Sequence, residues 1–321
     1  MSFPLRRLPF LAIREIIKSM DTREIFYLSL LSKKSQSLVT LSIPKDSPLA
    51  KFTFTEYRLL FELMPKGYFE NAHRPLPDAS YRIQGVFLPT KVSTDNLLVQ
   101  CEFYSSSGTS EFEESIRKLF YFFSKKFNKS EIFIEFKVGT REEFAIEILR
   151  FARENGIPLN EVDFSLHKAS SQSIQELLNL CNEQHMSLHI RTEIPIGFKY
   201  TPPPGGHKFK CFVVYHAHWI NLDDFLQCRK VFFMTELPDL TVEYLNDLLK
   251  KIVNLECRFD TFHFQLKSIK PTDFPEIVKG LSESAIKQGV AWQGLKFERK
   301  DGLKLLVSLL GRTLKLNGDY L

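Results

Sequence analysis

Apolar residues recur at helical spacing along the first part of the chain, and this pattern predicts short helices. Pro9 is tolerated at a helix start, so the first helix is expected over residues 10–19. Its apolar side is formed by three isoleucines, Ile13, Ile16 and Ile17. A side of this kind needs a packing partner.

Asp21 and Glu24 have the spacing of a capping box, which predicts a second helix that begins at Thr22. Ser32 predicts a stop and a restart before a third helix. The apolar stripe of the second helix is too broad for one face of a lone helix in water. It consists of Ile25, Phe26, Leu28, Leu30 and Leu31. The third helix carries Leu38, Val39 and Leu41. Three such helices lie near the lower size limit for independent stability, so an obligate partner is expected.

Further along the chain, apolar and polar residues alternate as they do in β-strands. Strands are predicted first within residues 51–56, 81–88 and 97–104. From residue 112 strands and helices alternate. These later strands are expected at residues 132–138, 162–166, 186–190, 231–234 and 262–266, and the helices at 144–151, 174–181 and 242–252.

Alternating strands and helices imply an α/β fold with crossover connections and mainly parallel pairing. A parallel sheet with helices on both faces has almost continuously apolar strands, but these strands are half polar. Helices are therefore expected on one face, with an open, polar second face. The favoured architecture is a curved leucine-rich-repeat-like stack. The alternative is an open α/β sheet whose second face is hidden by the strands of residues 51–104.

The turn-rich stretch at residues 43–48 predicts a boundary between a helical module, residues 1–45, and a larger domain, residues 46–321. Residues 193–220 contain several prolines and a glycine pair and interrupt the strand and helix pattern. They are predicted to form a long loop of the kind that often carries recognition.

Composition narrows the function classes. The chain is 44% hydrophobic and contains 30 phenylalanines, enough for a large core. Five scattered cysteines without a C-x-x-C pair, and no signal peptide, predict a reducing intracellular compartment, cytoplasm and/or nucleus. No run approaches the ~20 apolar residues that span a bilayer, so no membrane partner is expected. The net charge of +5 comes from evenly spread residues, so no nucleic-acid partner is expected.

The N-terminal segment contains a series of short motifs: Phe3-Pro4-Leu5, Leu8-Pro9, Ile16-Ile17, Met20-Asp21, the stretch from Leu28 to Lys33, and Ser32-Lys33-Lys34. In the order of these motifs the segment resembles an F-box, the helical module by which a substrate receptor docks onto the Skp1-type adaptor of a cullin-RING ubiquitin ligase. The resemblance is strongest to the divergent family that also carries a type 2 F-box-associated domain, in which Phe-Pro-Leu opens the motif and Ser-Lys-Lys closes it. Departures are Leu31-Ser32 in place of a Val-Cys pair and the absence of a Trp after Lys34. The alternative is that residues 3–41 form only an amphipathic helical cap on the domain behind them.

Residues 50–320 resemble the type 2 F-box-associated domain in their aromatic-rich strands and in their closing segment, residues 297–302. The resemblance implies a substrate-recruiting domain and supplies no catalytic residues. The chain is therefore expected to be a substrate-recognition subunit of an SCF-type ubiquitin ligase, which binds the adaptor and, through it, cullin. The expected adaptor-binding residues are Leu8, Pro9, Ile13, Ile16, Ile17, Leu28, Leu31 and Leu38.

The target protein is expected on the polar face of the strands. The residues predicted to bind it are Glu135, Lys137, Asp163, His167, His189, Arg191, His263 and Gln265.

Two other classes stay open. One is a non-catalytic scaffold that works outside ubiquitin ligases. The other is a metal-dependent enzyme, because His216 and His218 would point to one side of a strand, although no third ligand lies nearby in sequence. The chain lacks G-x-S-x-G, Walker A, H-E-x-x-H and G-x-G-x-x-G motifs. The favoured interpretation is therefore a protein that is not an enzyme and that needs no cofactor or metal.

Overall fold

A computed structural model describes residues 8–42, 49–64, 78–83, 86–94, 99–104, 110–127, 130–237, 240–281, 287–288 and 292–318. The fold is mixed α/β, as predicted: N-terminal helices are followed by a largely parallel sheet with helices. The chain divides into two compact units, residues 1–162 (unit 1) and residues 163–321 (unit 2). Strand β7 (Leu159–Phe164) crosses this division.

Unit 1 begins with the three predicted helices, α1 (Phe10–Ser19), α2 (Thr22–Leu31) and α3 (Lys33–Ser42). The predicted joint at residues 43–48 lies outside the described residues. The strands of unit 1 are β1 (Leu49–Thr55), β2 (Arg58–Met64), β3 (Asp78–Ile83), β4 (Val86–Thr94), β5 (Val99–Tyr104) and β6 (Glu131–Phe136). Its longer helices are α4 (Ser110–Lys126) and α5 (Glu142–Glu154).

Strands β1 to β5 continue the sheet beyond the edge of β6. The order is β6-β1-β2-β5-β4-β3, with β1 parallel to β6 and every other neighbouring pair antiparallel. The alternative in which residues 51–104 hide the second face of the sheet is therefore wrong. Each of these strands pairs with its neighbour through backbone hydrogen bonds, which places it edge to edge in the sheet.

Phenylalanine rings fill the core of unit 1. The Phe61 ring on β2 stacks on the Phe123 ring of α4, with centroids 4.2 Å apart, and lies 5.1 Å from the Phe52 ring on β1. The Phe54 and Phe136 rings stack at 5.2 Å across the parallel pair β1 and β6. Phenylalanines from the strands and helices of unit 1 therefore pack against one another in its core.

Unit 2 contains four parallel strands in the order β8-β9-β10-β11, followed by an antiparallel edge β15-β14-β13-β12. The strands are β8 (Ser187–Ile190), β9 (Cys211–Val214), β10 (Lys230–Glu236), β11 (Thr261–Gln265), β12 (Lys287–Gln288), β13 (Trp292–Glu298), β14 (Lys304–Leu310) and β15 (Thr313–Gly318). The helices are α6 (Ser171–Cys181), α7 (Val242–Val253) and α8 (Phe274–Ile277).

Strand β9 corrects the prediction of one long loop over residues 193–220. It lies between β8 and β10 and pairs in parallel with both. The pattern concealed it because it is only 4 residues long and follows a stretch rich in proline and glycine. Buried and half-exposed residues alternate along β9 and β11, as expected for helices on one face. That the strands form a leucine-rich-repeat-like stack stays a prediction.

A residue with a strained backbone lies just after the end of helix α7. Leu255 has a φ of 66°, which makes it the one non-glycine residue with positive φ in the described part of the chain. Its N–H donates to the Ile252 carbonyl at 3.2 Å, and the Glu256 N–H donates to the Lys251 carbonyl at 2.9 Å. These bonds close the helix in the way that usually requires glycine at this position.

We expect Leu255→Gly to raise the free energy of unfolding by about 1 kcal/mol, since glycine adopts a left-handed conformation without the clash of a Cβ atom. The Leu255 side chain is 48% exposed, so little packing is lost. Urea denaturation measures the change. Asn254→Gly is the matched control, because Asn254 has a φ of −82° and its replacement should lower stability. Equal shifts for the two variants would contradict the strain at Leu255.

Candidate functional site

The polar strand residues of unit 1 form a charge cluster around Glu135 on β6. A Glu135 carboxylate oxygen lies 2.9 Å from Lys51 Nζ and accepts a hydrogen bond from Thr53 Oγ1 at 3.1 Å. The other oxygen lies 3.6 Å from Lys137 Nζ. Burial raises the pKa of Glu135, but the hydrogen bond and charge of Lys51, with Lys137 and Thr53, outweigh it and lower this pKa overall. Glu135 is therefore a paired carboxylate.

In unit 2, Asp163 on β7 lies beside Arg191, which directly follows β8. Asp163 is only 5% exposed, and its Oδ2 lies 3.1 Å from Arg191 Nε. Ser165 Oγ donates a hydrogen bond to Asp163 Oδ1. The Arg191 guanidinium also lies over the Tyr215 ring, 5.3 Å from its centroid. The expectation of an open polar face is thus wrong at Asp163, because these neighbours cover its carboxylate.

The other predicted target-binding residues of unit 2 are more accessible. His167 is exposed, whereas His189, His263 and Gln265 are half-buried. His263 pairs across β11 and β15 with Lys315. Burial, followed by the nearby positive charge of Lys315, lowers the pKa of His263. His263 is therefore biased toward its neutral form.

The two candidate metal ligands do not lie on a strand. Strand β9 ends at Val214, so His216 and His218 follow it, and the alternation that would point both rings to one side does not apply. His218 Nε2 lies 3.4 Å from the Pro195 carbonyl oxygen. In the described ranges, no three His, Cys, Asp or Glu side chains are grouped closely enough to hold a metal ion. The five cysteines are free thiols.

Two of the N-terminal helices are capped at their starts by the side chains that the sequence indicated. Asp21 Oδ1 accepts from the Glu24 N–H at 2.8 Å, while the Asp21 N–H donates to a Glu24 carboxylate oxygen at 3.0 Å. This is the predicted capping box. Ser32 Oγ accepts from the Ser35 N–H at 3.1 Å, which caps the start of α3 and explains the restart at Ser32.

Exposed apolar side chains occur on all three helices. Of the eight predicted adaptor-binding residues, Leu31 is 74% exposed and Pro9 is exposed, while Leu8, Ile16, Leu28 and Leu38 are half-buried. Ile13 and Ile17 are buried within the chain itself. Four further exposed side chains were missed: Phe10 (46%), Leu11 (70%), Tyr27 (42%) and Leu41 (57%).

Spacing could have revealed Tyr27, which lies four residues before Leu31 and so shares its face of α2. Exposed apolar side chains of this number within three short helices mark an interaction surface. Residues 5–46 match the F-box domain.

The whole chain is also similar to a nematode protein. It is 24% identical to the "Skn-1 dependent zygotic transcript 15 protein" of Caenorhabditis elegans over 343 aligned residues, which cover 99% of this chain and 97% of that protein. No solved structure matches the chain. None of the helices in the described part of the chain combines the length and apolar content needed to cross a bilayer.

A buried lysine joins the F-box helices to α4. Lys126 is 2% exposed, and its Nζ donates to the Ser29 carbonyl at 2.6 Å. The same Nζ lies 4.0 Å from the centroid of the Phe122 ring, and Thr40 Oγ1 donates to the Lys126 carbonyl at 3.2 Å. Nothing in the local sequence distinguishes Lys126 from its neighbour Lys125, because its partners come from distant parts of the chain.

Burial lowers the pKa of Lys126 from 10.5 to about 8. Between these values the unfolded chain binds more protons than the folded chain, so Lys126 makes the free energy of unfolding rise with pH. We expect the stability of the natural protein relative to Lys126→Met to increase from pH 8 to pH 10.5, measured by urea denaturation.

The control is Thr40→Val, which removes a hydrogen bond at the same junction without removing a titrating group. Its stability difference from the natural protein should stay constant with pH. A constant difference for Lys126→Met as well would contradict the lowered pKa.

Proposed function

We propose that this chain is a substrate-recognition subunit of an SCF-type cullin-RING ubiquitin ligase. Its F-box would bind a Skp1-type adaptor, and its strand face would bind a target protein. The observation that carries the proposal is the F-box match at a set of helices with large apolar side chains exposed, of which Leu11 and Leu31 are the most exposed. Exposing such side chains to water costs free energy, and a partner that covers them removes this cost.

The adaptor-binding surface proposed for these helices includes the residues expected from the sequence together with Phe10, Leu11, Tyr27 and Leu41. Ile13 and Ile17 are buried, so their proposed contribution is to hold α1 in position from within. The exposed residues would make the direct contacts by helix-on-helix packing.

Target binding is proposed on the strand face, with Glu135 and Lys137 in unit 1 and His167, His189, Arg191, His263 and Gln265 in unit 2. Asp163 would act through Arg191, which it holds at 3.1 Å. The chain would contribute proximity, because a target lysine held near the ligase reacts as if highly concentrated. Isopeptide bond formation would belong to the E2 enzyme and the RING subunit.

The division into an F-box module, residues 1–45, and a target-binding domain, residues 46–321, is part of the proposal. The free thiols of the five cysteines fit a reducing compartment, so we place the protein in the cytoplasm and/or nucleus.

The experiment is size-exclusion chromatography of the full chain mixed with a purified Skp1-type adaptor, followed by addition of cullin and RING subunits. We expect a stable complex with the adaptor and its incorporation into the full ligase. Separate elution of the chain and the adaptor would overturn the proposal. A complex with the adaptor that excludes cullin would instead support a scaffold outside ubiquitin ligases.

A further inference from the structure

The outward face of the sheet in unit 2 carries lysines that form no ion pair with any residue the structure describes. We call the outward positions of β9, β10, β11, β15, β14 and β13 the lysine face. Residues at these positions are half-buried or exposed, while the residues between them pack inward. The members used below are Val213, Lys230, Phe232, Met234, His263, Lys315, Leu306, Leu310 and Lys296.

Strand register sets the neighbours on this face. Val213 lies opposite Phe232, and Phe232 lies opposite His263. His263 in turn lies opposite Lys315, which completes one row across four strands. Residues paired in this way have Cβ atoms about 5 Å apart, so each touches the next. The row therefore runs from apolar residues on β9 and β10 through the imidazole of His263 to the positive charge of Lys315 on β15.

A second row runs beside the first and carries two lysines. It passes from Lys230 on β10 through Thr261, Asn317 and Leu306 to Lys296 on β13. Met234 (38% exposed) and Leu310 (49% exposed) continue the apolar part at the far end of their strands. Apolar, uncharged polar and basic side chains thus share the face.

Acidic residues are scarce on these strands. Strands β9, β11, β14 and β15 contain no Asp or Glu. Glu236 on β10 lies 3.6 Å from Arg312, and Glu298 on β13 pairs across the strands with Lys304. Among the described residues, Lys230, Lys296 and Lys315 form no ion pair. Within the part of the chain that the structure describes, no acidic side chain therefore balances their charge, in contrast to that of Arg191, which Asp163 balances.

We propose that the lysine face binds an acidic, extended segment of the target that also carries apolar side chains. This inference rests on the proposed function and names the chemistry of its target. Carboxylates of the segment would pair with Lys230, Lys296 and Lys315, while its apolar side chains would cover Val213, Phe232 and Leu306. Because Val213 and Leu306 are aliphatic and Phe232 is the one phenylalanine of this set, the face favours a peptide over a single-stranded nucleic acid, which would require more aromatic stacking surfaces.

The test measures binding of short fluorescent probes to the full chain by fluorescence anisotropy. The probes are a peptide of alternating aspartate and leucine, the same peptide with lysine for aspartate, the same peptide with serine for leucine, and an oligouridine. We expect the aspartate and leucine peptide to bind most tightly and to weaken as salt is added. Equal binding of the lysine peptide, or tighter binding of the oligouridine, would overturn the inference.

Charge reversal locates the site. We expect Lys230→Glu with Lys315→Glu to raise the Kd of the aspartate and leucine peptide roughly tenfold or more, since two favourable charges become repulsive. The matched control is Lys199→Glu with Lys250→Glu, which changes the net charge equally at two exposed lysines outside the strands. Equal effects of both pairs would refute the lysine face. If the reversed variant fails to fold, Lys230→Gln with Lys315→Gln must still weaken binding more than glutamine at the control pair.

Adaptor binding separates the two proposals. The Lys230 and Lys315 variants should still form the adaptor complex in size-exclusion chromatography. An intact adaptor complex without selective binding of the acidic peptide refutes only the lysine face. A natural chain that binds no adaptor refutes the proposed function, whatever the peptides do.

Discussion

Leu11→Asp with Leu31→Asp is expected to abolish co-purification of a Skp1-type adaptor while the chain stays folded. The two side chains are 70% and 74% exposed, so their replacement removes almost no internal packing. Exposed substitutions of this kind usually change stability by less than about 0.5 kcal/mol. An apolar anchor at the centre of an interface is worth about 2 kcal/mol or more, and a buried unpaired carboxylate adds a further penalty.

The measurement is the dissociation constant of the adaptor complex, which should rise by about a hundredfold or more if two anchors are lost. Ile196→Asp is the matched control. Ile196 is 99% exposed and lies outside the F-box, so the same change of chemistry there should leave adaptor binding intact. Unchanged binding by the double variant would place the adaptor on another surface of the chain.

Phe26→Ala is expected to lower the free energy of unfolding by about 3–5 kcal/mol, the usual cost of removing a buried aromatic ring. Phe26 on α2 is 2% exposed, and its ring lies 6.5 Å from that of Phe61 and 6.2 Å from that of Phe123. Phe61 and Phe123 belong to β2 and α4. The F-box helices should therefore lose their structure together with this part of unit 1, in one transition.

Urea denaturation followed by circular dichroism tests this prediction. Tyr27→Ala is the control at the next position, because Tyr27 is 42% exposed and its loss should cost about 1 kcal/mol or less. Similar costs for the two variants would show that the Phe26 ring does not couple the helices to the strands. A separate early transition of the helices would show the same.

Local signals in the sequence were sufficient for the helices of the F-box. Pro9, the pair Asp21 and Glu24, and Ser32 act on residues at most four positions away, so their effect can be read directly from spacing. Alternation likewise predicted β6, β7, β8, β10 and β11, whereas β9 was missed because it is only 4 residues long.

Features that depend on distant residues could not be predicted. The alternation of β7 placed Asp163 on the polar face, but Ser165 and Arg191, which directly follows β8, cover its carboxylate. Lys126 is buried only because α2 and α3 bring Ser29 and Thr40 to it. The sequence pattern also could not distinguish Ile13 from Leu31, because both are apolar residues at helical spacing. In the structure Ile13 is buried and Leu31 is exposed to solvent.

The Phe26, Phe61 and Phe123 stack, with Lys126 beside it, bears on which lysines of a target could be modified. When a flexible linker joins the two binding modules of a receptor, the bound target can sample many positions. The length of that linker then sets the effective concentration of the target at the ligase. Here the F-box helices share a core with β2 and α4, so a target held on the strands of unit 1 would be carried on a stiff arm. The position and orientation of the bound target would then decide which of its lysines is modified. Lengthening the connection after α3 would not increase the number of lysines that can be modified.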